Sequence, residues 1–257
     1  MANLFDLSGK VAVITGSSRG IGRAIALQMA AHGARVVVSS RKAEACRKVV
    51  DEIAAAGGEA IALPASISDK AALQALVDGT VEKWGGIDIL VCNAAINPYF
   101  GPSAGIPDDA FDKIMASNIK SNHWLANMVL PGMAARGGGA VVIVSSVGGM
   151  IGSNLIGAYC ISKAADMQLA RNLAVEWGAA NIRVNCIAPG LIRTDFARAL
   201  WENPDILKTA TSRYPLQRIG EPDEIAGAAV FLASAAGRFM TGQTMVIDGG
   251  GTVSQGV

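Results

Sequence analysis

Histidine is almost missing from this chain. There are two in 257 residues, His32 and His123, and none follows position 123. With no HExxH pair and no His/Cys cluster, no metal site is expected. The four cysteines, Cys46, Cys92, Cys160 and Cys186, form no CxxC pair, and each stands in an apolar stretch. They read as buried thiols in a reducing compartment. Charge of one sign is not in excess either: 22 Lys and Arg against 21 Asp and Glu leave a net +1. Without a basic run, neither nucleic acid nor a membrane is expected as partner. The 30 glycines lack the three-residue period of collagen. A composition of 51% hydrophobic and 17% charged residues excludes disorder.

Long apolar helices are also lacking. Residues 137–162 carry no charge, but seven glycines and five Ser or Asn residues break the run, so no transmembrane helix is expected there. The first residues, Met1–Asp6, have no basic flank or apolar core, and Ser254–Val257 is no peroxisomal address. A cytoplasmic location is therefore expected.

What is present is alternation. Short β-branched runs are predicted as strands at Lys10–Thr15, Arg35–Ser39, Ala60–Leu63, Ile87–Cys92, Ala140–Ser145, Ile182–Ala188 and Thr244–Ile247. Between them lie helical patterns at Ile21–His32, Ala43–Ala56, Asp69–Trp84 (with Ser68 as N-cap), Asp108–Ala135 (broken near Ser117), Ala158–Trp177 and Glu221–Leu232. Seven strands with six helical regions predict an α/β fold: a doubly wound seven-stranded parallel sheet in a single domain spanning 1–257. Leu191–Leu216 is predicted as a long irregular segment, too apolar for disorder and therefore a substrate lid.

After the first strand comes Thr15-Gly16-Ser17-Ser18-Arg19-Gly20-Ile21-Gly22. Glycines at a strand-to-helix turn let the backbone approach a phosphate, and the helix N-terminus offers free N–H groups. The spacing is neither GxGxxG nor a Walker A loop. Gly16–Gly20 also matches GxSxG with Ser18 as nucleophile, but that chemistry needs a later acid and histidine, and no histidine follows His123. Gly101–Gly105 matches GxSxG too, but follows no strand and reads as a loop. The second strand ends in Ser39-Ser40-Arg41. An Asp at that point would accept a bond from a ribose 2′-hydroxyl and repel a 2′-phosphate. Ser40 beside Arg41, with Arg19 on the neighbouring turn, suits a 2′-phosphate instead.

Tyr159 and Lys163 stand four residues apart, on one face of a predicted helix, and Ser146 ends a strand thirteen residues before Tyr159. An ammonium at about 4 Å with effective dielectric near 20 would lower a phenol pKa by about three units, toward 7. General acid–base work favours that value.

Taken together, Thr15-Gly16-x-x-x-Gly20-x-Gly22, Asn93-Ala94-Ala95, Asn118, Ser146, Tyr159-x-x-x-Lys163, Pro189-Gly190-x-x-x-Thr194 and Asp248-Gly249-Gly250 resemble the short-chain dehydrogenase/reductase family over essentially the whole chain. Within it, Asn97-Pro98-Tyr99-Phe100-Gly101 and Ala199-Leu200-Trp201 resemble the NADP-dependent carbonyl reductases of ketones and retinal-type carbonyls. The resemblance implies that Tyr159 exchanges a proton with the carbonyl oxygen and that Lys163 lowers its pKa and holds the nicotinamide ribose. Ser146 would bind the carbonyl, and Asn118 would hold a relay water. It implies an NADP(H) site at Gly16, Ser18, Arg19, Gly20, Ile21, Gly22, Ser40, Arg41, Ser66, Ile67, Asn93, Ala94, Pro189, Gly190, Ile192 and Thr194. It also implies a homotetramer, with apolar Met128, Leu130, Met133, Met167, Leu169 and Leu173 suggesting spare helix faces. Two departures stand out: Ser66 replaces an Asp that often takes the adenine amino proton, and Ala95 replaces a glycine.

Three segments are expected around the nicotinamide: Ile96–Ile106, Met150–Gly157 and Leu191–Leu216. Their side chains, Ile96, Tyr99, Phe100, Met150, Leu155, Ile156, Leu191, Phe196, Leu200 and Trp201, are mainly apolar. The expected function is hydride transfer between NADP(H) and a bulky apolar ketone or its secondary alcohol. The competing readings are a 3-oxoacyl-carrier-protein reductase, a sugar or polyol dehydrogenase, and a non-catalytic NADP-sensing module.

Overall fold

The computed structural model describes residues 3–212 and 214–254. Met1-Ala2 and Gln255–Val257, parts of the ends read above for targeting signals, lie outside the described residues, as does Arg213 within the segment expected to be a lid.

Seven strands form one sheet in the order β3-β2-β1-β4-β5-β6-β7. They are β1 (Val11–Thr15), β2 (Arg35–Ser39), β3 (Glu59–Ala62), β4 (Ile89–Cys92), β5 (Gly139–Val144), β6 (Ile182–Pro189) and β7 (Thr244–Ile247). Every pairing is parallel, with Thr15 opposite Ser39 and Ile14 opposite Val91. Parallel strands need crossovers that cover both faces, so the central strands are apolar without interruption: β1 and β4 are buried at every position.

The helices are α1 (Gly20–Ala31), α2 (Ala43–Ala55), α3 (Lys70–Trp84), α4 (Asp108–Met115), α5 (Ser121–Ala135), α6 (Gly157–Trp177), α7 (Arg198–Trp201), α8 (Pro204–Thr211) and α9 (Pro222–Ala233). Two cores sandwich the sheet. Ile25, Met29, Val49, Ile53 and Ile225 pack on one face, and Leu73, Leu76, Leu125, Leu130 and Leu173 on the other. The chain reverses its winding between β1 and β4. In open α/β sheets the ligand crevice lies at the carboxyl ends beside such a point.

Four expectations are corrected. The cap of α3 is Asp69, whose Oδ1 accepts from Ala71 N–H and Ala72 N–H at 2.9 and 3.1 Å. Ser68 lies one residue too early and its hydroxyl meets Ser117 instead. The break expected near Ser117 is a widened π-turn, Ala116–Lys120, which joins α4 to α5 without a loop. The segment 191–216 is not irregular: it holds a 3₁₀ turn, Asp195–Ala197, and then α7 and α8. Asn203 caps α8, with Oδ1 accepting from Asp205 N–H at 2.9 Å, and Pro204 follows at the first helical position. Of the residues that suggested spare helix faces, Leu130, Met133, Met167 and Leu173 are buried within the chain and Met128 and Leu169 pack against the same core. The outward apolar residues of α6 are Ile161 and Val175, 54% and 87% exposed.

Candidate active site

The glycine-rich turn links β1 to α1. Gly16 has φ +65°, and a Cβ there would come within 2.9 Å of Asn93 Nδ2. At Gly22 a Cβ would meet Asn93 Nδ2 and Gly16 O, both at 2.4 Å. Only glycine lets the turn fold this tightly onto the end of β4. Asn93 closes the packing: its Nδ2 donates to Thr15 O at 2.9 Å and to Gly16 O at 3.2 Å. Thr15 Oγ1 accepts from Asn93 N–H and Ala94 N–H. Thr15 is thus a bracing residue that the motif contained but its glycines overshadowed. Helix α1 has no side-chain cap and no acidic residue in its first turn, so its N–H groups and positive dipole end face the crevice. Ser18 and Ile21 flank this open end. The turn therefore fits a dinucleotide pyrophosphate.

Around it, Ser40 follows β2, and its backbone oxygen accepts from Ala65 N–H, which brings Ser66 and Ile67 alongside. The Ser40 hydroxyl is within 3.2 Å of Cys46 Sγ. Arg41 is exposed and has no protein partner among the described residues. Arg19 reaches Asp195 at 3.8 Å, an exposed pair that adds little stability. Pro189 ends β6, and Gly190 packs against Asp248 so closely that a Cβ would lie 2.8 Å from its Cα. Ile192 is buried and bridges Gly220, so it offers backbone rather than side chain. Thr194 lies over the turn, its Cγ2 3.1 Å from where a Gly20 Cβ would sit.

At the ends of β4 and β5 a second group assembles. Ser146 caps a 3₁₀ turn, its Oγ accepting from Gly148 N–H at 3.0 Å, which fixes the hydroxyl beside Tyr159. Asn118 sits in the π-turn with its amide fully engaged. Oδ1 accepts from Ile96 N–H at 2.9 Å, and Nδ2 donates to Ile96 O and Ser162 Oγ, both at 3.0 Å. Ser162 Oγ in turn donates to Tyr159 O at 2.7 Å. A π-turn in this position is a common mark of a functional site. Ser162 was not singled out from the sequence.

Lys163 Nζ is 2% exposed, donates to Val144 O at 2.9 Å and to Asp166 Oδ2 at 3.0 Å, and lies 5.7 Å from the centre of the Tyr159 ring. Burial opposes its charge, yet Asp166 and Tyr159 outweigh burial and hold its proton more tightly than in free lysine. Tyr159 departs from expectation. Burial pushes its pKa above the ordinary phenol value and outweighs the pull of Lys163 and of the Ser146 hydrogen bond, while Asp166 pushes it further up. Spacing alone had supplied the lysine charge without the desolvation or the neutralising carboxylate.

Two of the three expected segments touch directly, and the third reaches Tyr159. Gly101 N–H donates to Leu155 O at 2.8 Å, and the Phe196 ring centre is 6.0 Å from that of Tyr159. Phe100, Met150, Leu155, Phe196 and Leu200 are all exposed. Ile156 and Leu191 are partly buried. Two candidates are tied elsewhere. Tyr99 donates its hydroxyl to Pro102 O within its own loop, and Trp201 donates Nε1 to Thr194 O with Arg193 over its ring at 5.4 Å. No group of His, Cys, Asp or Glu able to hold a metal exists among the described residues.

The family described as Enoyl-(Acyl carrier protein) reductase matches residues 16–252. The chain is 42% identical over 250 residues to "Dehydrogenase/reductase SDR family member 4" of Bos taurus, covering 97% of this chain and 90% of that one. The chain belongs to the short-chain dehydrogenase/reductase family. It is thus an oxidoreductase of a family that uses nicotinamide cofactors and acts on small molecules. The human protein of the same name is 41% identical over 97% of this chain and 89% of its own length. Among solved structures, a 7α-hydroxysteroid dehydrogenase complexed with NADH and 7-oxo-glycochenodeoxycholic acid is 39% identical, with TM-score 0.94 over 98% of both chains. A gluconate 5-dehydrogenase from Burkholderia cenocepacia in complex with NADP and tartrate is 33% identical, with TM-score 0.93 over 98% of both chains. The first of these structures holds NADH and the second NADP. Among the described residues, no helix is long and apolar enough to cross a membrane.

Proposed function

We propose that this chain is an NADP(H)-dependent carbonyl reductase and alcohol dehydrogenase that prefers bulky apolar ketones. The observation that carries the substrate class is the Phe196 ring, 6.0 Å from that of Tyr159, taken here as one apolar wall of the substrate site. Phe100, Met150 and Leu155 lie on the two segments joined beside it. An apolar surface of this kind gains about 25 cal/mol per Å² of apolar substrate covered. A sugar would leave hydroxyls unpaired there, at about 1–3 kcal/mol each.

The residues divide the work as follows. Gly16, Ser18, Gly20, Ile21 and Gly22 hold the pyrophosphate, Asn93 and Ala94 support that turn, and Ser40, Arg41 and Arg19 hold a 2′-phosphate. Ser66 and Ile67 border the adenine. Pro189, Gly190, Ile192 and Thr194 frame the nicotinamide, which, when bound, supplies or accepts the hydride. Ser146 donates its hydroxyl hydrogen to the carbonyl oxygen. Tyr159 transfers its phenolic proton to that oxygen as the carbon becomes an alcohol. Lys163 steadies the phenolate left behind. Asn118 ties Ile96 to Ser162 and so sets the distance between the substrate wall and Tyr159. Burial holds the Tyr159 proton more firmly than in a free phenol, so Tyr159 enters reduction in its protonated, donor form. The segment 191–216 closes over the substrate as a lid, and exposed Ile161 and Val175 on α6 supply apolar surface for assembly as a homotetramer.

Phe196→Ala tests the wall. If the ring covers about 55 Å² of an aryl ketone, its loss removes about 1.4 kcal/mol, or tenfold in kcat/KM. Steady-state rates should show that loss for an aryl ketone and little change for acetone. Equal losses for both would remove the apolar wall as the basis of selectivity.

A further inference from the structure

Lys163 has a partner that the proposed mechanism does not use. Asp166, one helical turn along α6, is fully buried, with 0% side-chain exposure. Its Oδ2 accepts from Lys163 Nζ at 3.0 Å, and its Oδ1 accepts from Asn122 Nδ2 of α5 at 2.9 Å. Asn122 Nδ2 also donates to Asn118 O at 2.7 Å. An unbroken chain of protein groups therefore runs from Lys163 through Asp166 and Asn122 to the π-turn that carries Asn118. Each Asp166 oxygen faces an N–H donor, the pattern of an ionised carboxylate.

A buried carboxylate and a buried ammonium each cost several kcal/mol to desolvate, so such a pair is weak evidence for stability. A turn of helix could carry an apolar side chain here at no such cost. What the pair does supply is control of the lysine. An isolated lysine at this depth would tend to lose its proton, since desolvation can pull a buried lysine several units below about 10.4.

We propose that Asp166 is a positioning residue that keeps Lys163 charged and aimed at Tyr159, with Asn122 fixing the carboxylate to the π-turn. The inference rests on the roles proposed above for Tyr159 and Lys163.

The other groups facing Lys163 supply no competing anion. From α6 comes Tyr159, whose proton burial holds. From the end of β5 comes Val144 O, followed by Ser145, whose Oγ donates to Lys163 O at 2.7 Å. Cys92 of β4 is pushed by burial up to about 12 and remains a neutral thiol. Cys186 of β6, whose Sγ donates to Asp166 O at 3.4 Å, is pushed up still further, with Arg171 pulling the other way. Ser146 adds a hydroxyl and α5 adds the neutral Asn122 amide. Asp166 is thus the counterion on which the charge of Lys163 depends.

The sign of the effect follows. In alcohol oxidation the base is ionised Tyr159, supported by the Lys163 charge. In Asp166→Asn, Lys163 loses its proton before Tyr159 does, and the phenolate is unsupported. The rising limb of kcat/KM against pH should move to higher pH by about one unit or more. A limb that stays in place, with rate lost equally at every pH, means a purely structural role and overturns the proposal. A limb that moves to lower pH also overturns it, because Lys163 would then keep its charge unaided while Asp166 only damped it. Should Asp166→Asn fail to fold, Asn122→Leu leaves the carboxylate but removes its tether and should shift the limb the same way by less.

Lysine Cε NMR on the parent protein, assigned by the signal lost in Lys163→Arg, reads Lys163 directly. It should stay charged beyond the ordinary lysine range, about 10.4. Titration below that range in the parent would overturn the proposal whatever the variants do. This arm needs no turnover, so it separates a failure here from a failure of the proposed reaction, which Tyr159→Phe reports.

Discussion

Replacing Tyr159 with Phe should lower kcat/KM for ketone reduction by about 10²–10⁴-fold, the usual worth of a positioned proton donor. The ring is nearly isosteric, so its contact with Phe196 survives and folding should be little affected. The side chain belongs to a helix whose next turn is locked by Lys163, Ser145 and Asp166, so nothing moves in to replace the lost hydroxyl. NADPH binding should stay near the parent value, because the turn at Gly16–Gly22 and the end of β2 are untouched. Steady-state rates with fluorescence titration of NADPH separate the two effects. Near-normal turnover would show that Tyr159 is not the proton donor.

Cofactor choice should be equally responsive. The parent is expected to prefer NADPH to NADH by at least tenfold in kcat/KM. A charge-assisted bond to the 2′-phosphate is worth about 1.5–3 kcal/mol, or roughly 10–100-fold. Ser40→Asp with Arg41→Ala supplies a carboxylate that would accept a hydrogen bond from a ribose 2′-hydroxyl and removes an exposed, unpartnered guanidinium. It should reverse the preference toward NADH. Equal use of both cofactors by the parent would refute the roles given to Ser40 and Arg41. The related structures hold NADH in one case and NADP in another, so this chain's own residues decide the matter.

Much of this was legible before any coordinates. The seven strands fall within about two residues of their predicted bounds, because continuous β-branched runs such as Val11–Thr15 and Arg35–Ser39 leave little else for the chain to do. Tyr159, Lys163 and Ser146 were placed by helix spacing and a strand end, both local signals. What escaped is long-range or energetic. Ser68 and Asp69 are both good caps, and only the side-chain geometry chooses Asp69. Helices α7 and α8 are short, and the Asn203-Pro204 start signal was read as part of a loop. Asp166 lies at helical spacing from Lys163, but its second partner comes from Asn122, 44 residues away. The Tyr159 pKa depends on desolvation, which residue spacing does not report.

The measurement that bears most directly on the whole account uses NADPH carrying deuterium at the pro-S position of its nicotinamide, the face that the family resemblance implies. The purified protein is offered an aryl ketone and a polyol-derived ketose in parallel. The account predicts a secondary alcohol deuterated at the carbinol carbon and a higher kcat/KM for the aryl ketone. A faster ketose, or an unlabelled alcohol with the deuterium left on the nicotinamide, would contradict it.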